Sequence, residues 1–413
     1  MVGCGPAGLA AAILLTRDGH RVTIYERFSE AKPIGSGLML QPSGMAVLQE
    51  MGIANAIAVR GARIDALLGL EENGRVALDA PYAKLDLPEA FGLGIHRASL
   101  FEVLFDAALG AGVVIRTAHE ITSSRAGQNG RRLLFTNGTF SKPYDLVVDA
   151  SGWASRINSG ERSGLLPFGA LWATIPVCGS DPHARNLLEQ RYRHAVQMVG
   201  VLPIGRRGPD HPHEVAFFWS LRQTDYPSWR ERPISEWKTD VRALWPQIDF
   251  LLNRVASHDD LTFASYAHRT ARQAFGDRLI RIGDAWHSAS PQLGQGANMA
   301  LLDAWALAKG LRESRSIYEG LRLAHHLRSE HVRLYQWITA AFTPMFQSDK
   351  AWPAWVRDHI MAPLSRLSPV ARFQAQLMSG LFAWPLQVLE IDAPDYPAIA
   401  SSMAARASSL DQS

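Results

Sequence analysis

Cysteine is nearly absent from this sequence: the chain has two, Cys4 and Cys178, among 413 residues. Two distant cysteines provide neither a disulfide framework nor metal-ligand spacing, and they fit a protein of the reducing cytoplasm. Three histidines, His325, His326 and His331, lie close in sequence. Their intervals of five and six residues do not place ligands on one helical face. We therefore predict a surface helix there and no metal site.

The sequence also has little net charge and no long hydrophobic run. The formal net charge is +3, and no basic face with interleaved aromatic residues is present, so we expect no nucleic-acid partner. No apolar segment is long enough to span a bilayer, and the start of the sequence lacks the charged region of a signal peptide. The apolar residues 381–391 are expected to be buried rather than to lie on a membrane surface. These observations indicate a cytoplasmic globular protein large enough for two domains.

What the sequence does contain is a glycine signature, G-x-G-x-x-G, at residues 3–8. A helix-forming segment and the strand-like RVTIYER follow, and Glu26 near the end of that strand lies 18 residues past the last glycine. This pattern predicts a dinucleotide site, with a pyrophosphate at the helix N-terminus and Glu26 on the ribose hydroxyls. The predicted contacts are Gly3, Gly5, Pro6, Ala7, Gly8, Glu26 and Arg27.

Only Met1 and Val2 precede the glycine signature. In a doubly wound sheet the strand before this turn is central and typically about 5 or 6 residues long. We therefore expect the natural protein to begin upstream of Met1.

A second segment, residues 277–311, joins a strand, a loop and a helix. Asp284 follows the strand, where its carboxylate is placed to accept hydrogen bonds from the sugar-alcohol chain of a flavin. The helix that begins near Gly296 directs backbone N–H groups and a positive dipole end toward the ring edge that becomes negative on reduction. The arrangement predicts a flavin site.

With these motifs the chain resembles the class A flavoprotein monooxygenases, which include the 4-hydroxybenzoate and salicylate hydroxylases and hydroxylases of ubiquinone biosynthesis. Their pattern is G-D, then P-x-x-G-Q-G-x-N, then D-A-x-x-L-A. The matching positions are Gly283, Asp284, Pro291, Gly294, Gln295, Gly296, Asn298, Asp303, Ala304, Leu307 and Ala308. The flavin contacts that the resemblance implies are Arg97, Asp284, Pro291, Gly294, Gln295, Gly296, Ala297 and Asn298.

One position departs from the family pattern. Ser151 stands where the family has an aspartate that contacts the pyrophosphate and the incoming nicotinamide cofactor. Asp149, two residues earlier, would substitute for it only if the turn shifted. His287, which follows Asp284 by three residues, is predicted to be a flavin-shell or packing residue rather than a catalytic base.

The resemblance implies an α/β fold. A Rossmann-type FAD-binding domain is expected to be discontinuous, assembled from residues 1–62, 95–163 and 263–345. A β-sheet substrate domain is expected from residues 63–94 and 164–262, where residues 170–177 and 214–221 are strand-like. A helical region is expected at residues 346–413.

The resemblance further implies FAD-dependent monooxygenation. NADH or NADPH would reduce FAD, and dioxygen would form a flavin hydroperoxide that hydroxylates an aromatic or other electron-rich hydrophobic small molecule. No catalytic residue can be named from the sequence. A flavin-dependent halogenase is an alternative, although Leu171 and Ala173 stand where its motif needs tryptophan. A prenyl-chain reductase of the same fold, or a non-catalytic flavin-binding protein, would carry the same cofactor motifs.

Overall fold

The structure, a computed structural model, describes residues 1–32, 35–157, 164–178, 181, 186–208, 210–271, 273–365 and 367–410. The fold is α/β, as predicted, with a helical C-terminal region. The helices are α1 (Pro6–Arg17), α2 (Pro42–Glu50), α3 (Ala54–Ala58), α4 (Arg97–Gly110), α5 (Tyr226–Glu231), α6 (Ile234–Leu244), α7 (Asp249–Leu252), α8 (Gly296–Arg312), α9 (Ile317–Phe346), α10 (Ala351–Val356), α11 (Ala362–Leu364), α12 (Ser368–Met378), α13 (Pro385–Leu389) and α14 (Tyr396–Leu410).

The strands are β1 (Thr23–Tyr25), β2 (Gly37–Leu40), β3 (Ala62–Ile64), β4 (Ala66–Glu71), β5 (Val76–Pro81), β6 (Gly92–His96), β7 (Val114–Arg116), β8 (Ile121–Gly127), β9 (Gly130–Phe135), β10 (Val147–Asp149), β11 (Leu165–Val177), β12 (Leu187–Arg193), β13 (Gln197–Gly205), β14 (His213–Arg222), β15 (Thr262–Ala267), β16 (Arg269–Thr270), β17 (Phe275–Gly276), β18 (Leu279–Arg281) and β19 (His287–Ser288). Two 3-10 turns matter for the site: Gly283–Ala285 and Pro291–Leu293.

Val2 lies at the centre of the parallel sheet. It forms parallel bridges to Tyr25 of β1 on one side and to Asp149 of β10 on the other. Its N–H donates to the carbonyl of Val148 at 2.9 Å, and its carbonyl accepts from the N–H of Ala150 at 2.9 Å. The strand order is therefore β7, β1, Val2, β10, β18, β17, with β17 antiparallel. Since α1 follows Val2 directly and packs against α4 and α8, the glycine turn opens at the middle of this sheet.

A seven-stranded sheet stands beside the parallel sheet, in the order β15, β11, β14, β13, β12, β4, β5. The strands predicted at residues 170–177 and 214–221 lie within β11 and β14, which pair antiparallel. Side chains alternate between two faces, as strand geometry requires. The outer face, which includes Phe217 and Trp219, packs against the tryptophans of α5 and α6, Trp229 and Trp237.

The inner face of the same sheet carries Trp172, Met198 and Phe218, and it packs against Phe346 at the end of α9.

The limits of the FAD-binding and substrate domains stay a prediction. Strand β15 (Thr262–Ala267) pairs with β11, so the sheet continues past the limit placed at residue 262.

The C-terminal helices pack on the edge of the larger sheet, where α11 and α12 contact β5. Residues 381–391 are mixed in burial. Leu386 and Leu389 are buried, as expected, whereas Trp384 is 70% and Val388 is 46% exposed. Within the described ranges, no helix combines the length and apolar content that crossing a membrane requires.

Candidate cofactor and active site

The glycine turn is closed on one side and open on the other. Gly3 has φ of +97°, and a Cβ there would lie 2.5 Å from the carbonyl oxygen of Ala150. A Cβ on Gly8 would lie 2.2 Å from the carbonyl oxygen of Gly3, so the helix start packs directly on the turn. A Cβ on Gly5 would meet no atom within 4 Å. Because Gly5 is the N-cap of α1, the free N–H groups of the helix start lie on this open side, where there is room for an anionic group.

Glu26 is fixed beside that turn. One carboxylate oxygen accepts from the N–H of Cys4 at 2.9 Å, and the other accepts from the N–H of Phe28 at 3.1 Å. A cleft of about 70 Å³ next to it is also lined by Gly3, Arg27 and Ser151. The cleft has the position and the acceptor that the ribose of a dinucleotide needs.

Asp149 does not take the place of the family aspartate. Its side chain is fully buried. It accepts from the hydroxyls of Ser151 and Ser155, at 2.6 Å each, and from the N–H of Ser151 at 3.1 Å. The carboxylate thus holds the turn together from inside, and Ser151 is the residue that faces the cleft. The possibility that Asp149 substitutes for the aspartate is wrong.

Arg97 and Asp284 are two charged residues close to each other, and both are exposed. Yet desolvation by surrounding protein is the main cause that raises the pKa of Asp284 and lowers the pKa of Arg97. An exposed side chain that surrounding protein also desolvates lies in a recess rather than on an open surface. We call this recess the cavity. Each of the two charges also opposes the pKa shift of the other, so they border the same cavity.

The N-terminus of α8 borders this cavity too. Gln295 is the N-cap of α8, and Gly294 before it has φ of +61°. Gly296 is exposed, and a Cβ there would lie 3.9 Å from Oδ1 of Asp284. The unpaired N–H groups of the first helical turn therefore lie next to the Asp284 carboxylate. This is the combination of acceptor and donors that a flavin ribityl chain and pyrimidine edge require.

Two predicted cofactor residues direct their side chains into protein instead. Asn298 is fully buried. Its Oδ1 accepts from the N–H of Gln41 at 2.8 Å, and its Nδ2 donates to the carbonyls of Met39 and Gly294 at 3.2 and 3.1 Å. Gln295 donates through Nε2 to the carbonyl of Met378 at 2.7 Å. These side chains hold the loop in place, and any contact with a flavin is left to their backbone.

The predicted residues form two adjoining groups. Gly283, in the turn before Asp284, comes so close to α1 that a Cβ on it would lie 3.1 Å from the Cβ of Ala7. The glycine turn and the Asp284 turn are therefore neighbours, and together they form one elongated site. In the first group Pro6 is half-buried and Ala7 buried; in the second Pro291 is exposed and Ala297 half-buried. The residues present, a glycine turn beside Glu26 and a second turn with Asp284 and Arg97, fit an elongated dinucleotide cofactor such as FAD.

A buried ionic network that no sequence motif indicates lies beneath the site. It consists of Asp303, His287, Arg328 and His331, and we call it the Asp303 network. Asp303 accepts from the N–H of Gly283 at 2.9 Å, from His287 at 2.6 Å and from Arg328 at 2.8 Å. Arg328 also contacts Nδ1 of His331 at 2.9 Å. His287 is thus a buried packing residue, and its ring nitrogen is bonded to Asp303. The only signal in the sequence is the three-residue spacing of Arg328 and His331, which places them on one helical face.

The prediction of a surface helix is wrong for His331, which is 5% exposed. The reason is that α9 packs along α8, so one face of α9 is covered. Burial lowers the pKa of His331 well below its usual range, and the neutral ring accepts from Arg328.

A tyrosine that no sequence motif indicates lies beside the cavity. Tyr266, on β15, accepts at its hydroxyl oxygen from Nε1 of Trp172 at 2.7 Å. Burial raises the pKa of Tyr266 to about 12, against smaller opposing effects of Trp172 and of the Arg97 charge. The hydroxyl therefore stays protonated. Because it already accepts from Trp172, its own proton is available to another acceptor.

A glycine turn at the start of a helix, followed by an acid at the end of β1, is the geometry of a Rossmann-type dinucleotide-binding protein. Residues 1–317 match the protein family described as "FAD binding domain", and the chain belongs to that family.

Similar proteins agree with this assignment. The chain is 27% identical over 334 residues to 6-methylpretetramide 4-monooxygenase of Streptomyces rimosus, with 76% of this chain and 75% of that protein covered. It is 26% identical over 404 residues to 2-heptyl-3-hydroxy-4(1H)-quinolone synthase of Pseudomonas aeruginosa (strain UCBPP-PA14), with 92% and 97% covered. In fold it is similar to 2-methyl-3-hydroxypyridine-5-carboxylic acid oxygenase, with a TM-score of 0.74, 20% identity and 94% and 96% of the two chains covered. The protein is an FAD-dependent monooxygenase with NADH or NADPH as electron donor, and neither the halogenase nor the reductase alternative is supported.

Proposed function

We propose that this monooxygenase hydroxylates a neutral aromatic small molecule of low polarity, bound between FAD and the inner face of the seven-stranded sheet. The observation that carries the proposal is the pair Trp172 and Tyr266. It offers an aromatic wall and one hydroxyl donor near the Arg97 end of the cavity.

The surroundings of this pair are apolar. The ring of Trp172 lies 4.8 Å from that of Phe218, measured between centroids. Leu188, Phe342 and Met345 pack against the same cluster. Aromatic and thioether side chains of this kind suit a flat, uncharged ring and exclude water from it. The names of two relatives, which refer to 6-methylpretetramide and to a 2-heptyl-3-hydroxy-4(1H)-quinolone, agree with this substrate class.

The residues of the chain then have distinct tasks. FAD would supply the redox chemistry of the reaction when bound. Asp284 and the N-terminus of α8 would hold the ribityl chain and the ring of FAD, and Gly5 would admit its pyrophosphate. Tyr266 would donate a hydrogen bond to an oxygen of the substrate and so fix which ring carbon is presented. The inner sheet face keeps water away from the reacting atoms.

The test compares a neutral quinolone that bears an alkyl chain with the same ring bearing a carboxylate. Oxidation of NADH and NADPH by the FAD-loaded protein is followed with and without dioxygen, and ¹⁸O₂ incorporation is measured by mass spectrometry. We expect the neutral compound to stimulate oxygen-dependent oxidation and to gain one labelled atom. Stimulation by the carboxylate alone, or turnover without dioxygen, would contradict the proposal.

A variant pair locates the substrate. Tyr266→Phe should raise KM by about tenfold, because one hydrogen bond to the substrate is lost. The matched control is Tyr226→Phe, since Tyr226 stacks on Trp229 at the outer face of the same sheet. Equal KM values for the two variants would show that Tyr266 does not bind the substrate.

A further inference from the structure

A short segment of the C-terminal region lies against the flavin loop. We define the C-terminal strap as residues 377–380, which comprise the end of α12 and the two residues after it. Leu377, Met378 and Ser379 are 1%, 6% and 0% exposed. The strap lies outside residues 1–317, which carry the family match. Nothing in the motifs of the FAD site points to it.

Three carbonyl groups of the strap accept hydrogen bonds from three different elements. The carbonyl of Met378 accepts from the side chain of Gln295 at 2.7 Å. The carbonyl of Ser379 accepts from the N–H of Ser43, in α2, at 3.3 Å. The carbonyl of Leu377 accepts from the hydroxyl of Tyr335, in α9, at 3.1 Å. The strap therefore ties α2 and α9 to the residue that caps α8.

Gly380 closes this arrangement. It has φ of +75°, and a Cβ on it would lie 2.2 Å from Oγ of Ser43 and 2.7 Å from Oε1 of Gln295. The amide of Gln295 cannot move aside easily, because its Nε2 is bonded to the carbonyl of Met378 and the residue is 6% exposed. Any side chain at position 380 must therefore displace Gln295 or Ser43.

We propose that the C-terminal strap is a positioning element of the flavin site. By fixing Gln295 it sets where the N-terminus of α8 lies relative to Asp284, and so it tunes the affinity and reduction potential of FAD. Met378 and Gly380 are positioning residues, since they act through Gln295 and the α8 backbone. The inference concerns FAD binding alone and holds whatever the substrate is.

The test uses Gly380→Ala in the full-length chain, with Gly74→Ala as the matched control. Gly74 lies in the hairpin between β4 and β5, has φ of +82°, and has no atom within 4 Å of an added Cβ. Both variants adopt the same unfavourable backbone conformation, but only Gly380→Ala displaces Gln295. We expect Gly380→Ala to weaken FAD binding about tenfold or more by flavin fluorescence, because a misplaced donor loses its bond. We also expect a more negative flavin reduction potential, because the α8 N-terminus no longer faces the reduced ring.

If Gly380→Ala does not fold, two milder variants decide the question. Gln295→Met keeps the side-chain volume and removes the bond to Met378, and Tyr335→Phe loosens the strap from the α9 side without touching the cavity. We expect each to weaken FAD binding, and the double variant to be no worse than Gln295→Met, because both act through one contact. FAD affinities equal to that of Gly74→Ala, or fully additive losses, would overturn the proposal.

Discussion

The guanidinium Nε of Arg328 lies 2.8 Å from Oδ1 of Asp303, and both side chains are 1% exposed. The pair joins α9 to α8. Through its second oxygen Asp303 also accepts from the N–H of Gly283, in the turn that presents Asp284 to the cavity. A buried ion pair is not by itself a large source of stability, but removal of one partner leaves the other charged and desolvated. The Asp303 network is thus a buried support for the turn that carries Asp284.

Asp303→Asn should lower the free energy of unfolding by about 3–5 kcal/mol, the usual cost of breaking a buried pair. The matched control is Asp18→Asn, which breaks an exposed pair with Arg312 and should cost less than about 1 kcal/mol. Urea unfolding of the two apoproteins measures both values. Equal costs for the two variants would contradict the view of the Asp303 network as a support.

The same carboxylate predicts how stability depends on pH. Burial alone raises the pKa of Asp303, but the charges of His287 and Arg328 together with their hydrogen bonds lower it from 3.8 to about 2. A depressed carboxylate pKa stabilises the folded state fully above 3.8, and that contribution is lost as the pH falls toward about 2. The stability gap between the native protein and Asp303→Asn should therefore narrow between these two pH values. Unfolding free energies measured across this range would show it, and a gap independent of pH would refute it.

Gly5→Ala should separate cofactor binding from folding. The added Cβ meets no protein atom within 4 Å, and φ at Gly5 is −83°, which alanine adopts readily. The apoprotein should keep its thermal unfolding midpoint, whereas FAD should bind at least about tenfold more weakly because the methyl group occupies the path of the pyrophosphate. Gly3→Ala is the contrasting variant, since its Cβ would lie 2.5 Å from the carbonyl oxygen of Ala150 and it should destabilise the apoprotein itself. Calorimetry of both apoproteins, followed by FAD titration, tests the pair. Undiminished FAD affinity in Gly5→Ala would place the pyrophosphate elsewhere.

The parts of this site that could be predicted are those with local signals. The glycines at residues 3–8 lie in one turn, and Asp284 to Asn298 lie in one continuous segment of the chain, so spacing alone indicates their chemistry. The supports of the site join distant parts of the chain. Gln295 and Met378 are 83 residues apart, and Gln41 and Asn298 are 257 apart. No pattern of spacing encodes such contacts, because tertiary packing decides them.

His331 illustrates the same limit. Its position on a helix was predicted, but helical spacing reports only which residues share a face of that helix. Which element covers that face depends on the packing of α8 against α9. Tyr266 could not be predicted as a site residue for a related reason. Only the pairing of β15 with β11 brings its hydroxyl to Trp172.

Asp284→Asn should weaken FAD binding while leaving the apoprotein as stable as before, or more stable. The pKa of Asp284 is raised, mainly by desolvation, so the ionised group destabilises the folded apoprotein at neutral pH, and this penalty is relieved as the pH falls. Asparagine carries no charge and avoids the penalty. Yet asparagine cannot make the charge-assisted hydrogen bonds that a carboxylate makes with ribityl hydroxyls, at a cost of about tenfold in FAD affinity.

Asp277→Asn is the control for Asp284→Asn. Asp277 is exposed and precedes strand β18, whereas Asp284 follows that strand. Thermal unfolding of the apoproteins at neutral and mildly acidic pH, together with FAD titration, distinguishes the two roles. An apoprotein destabilised by Asp284→Asn would show that the carboxylate serves the fold rather than the cofactor.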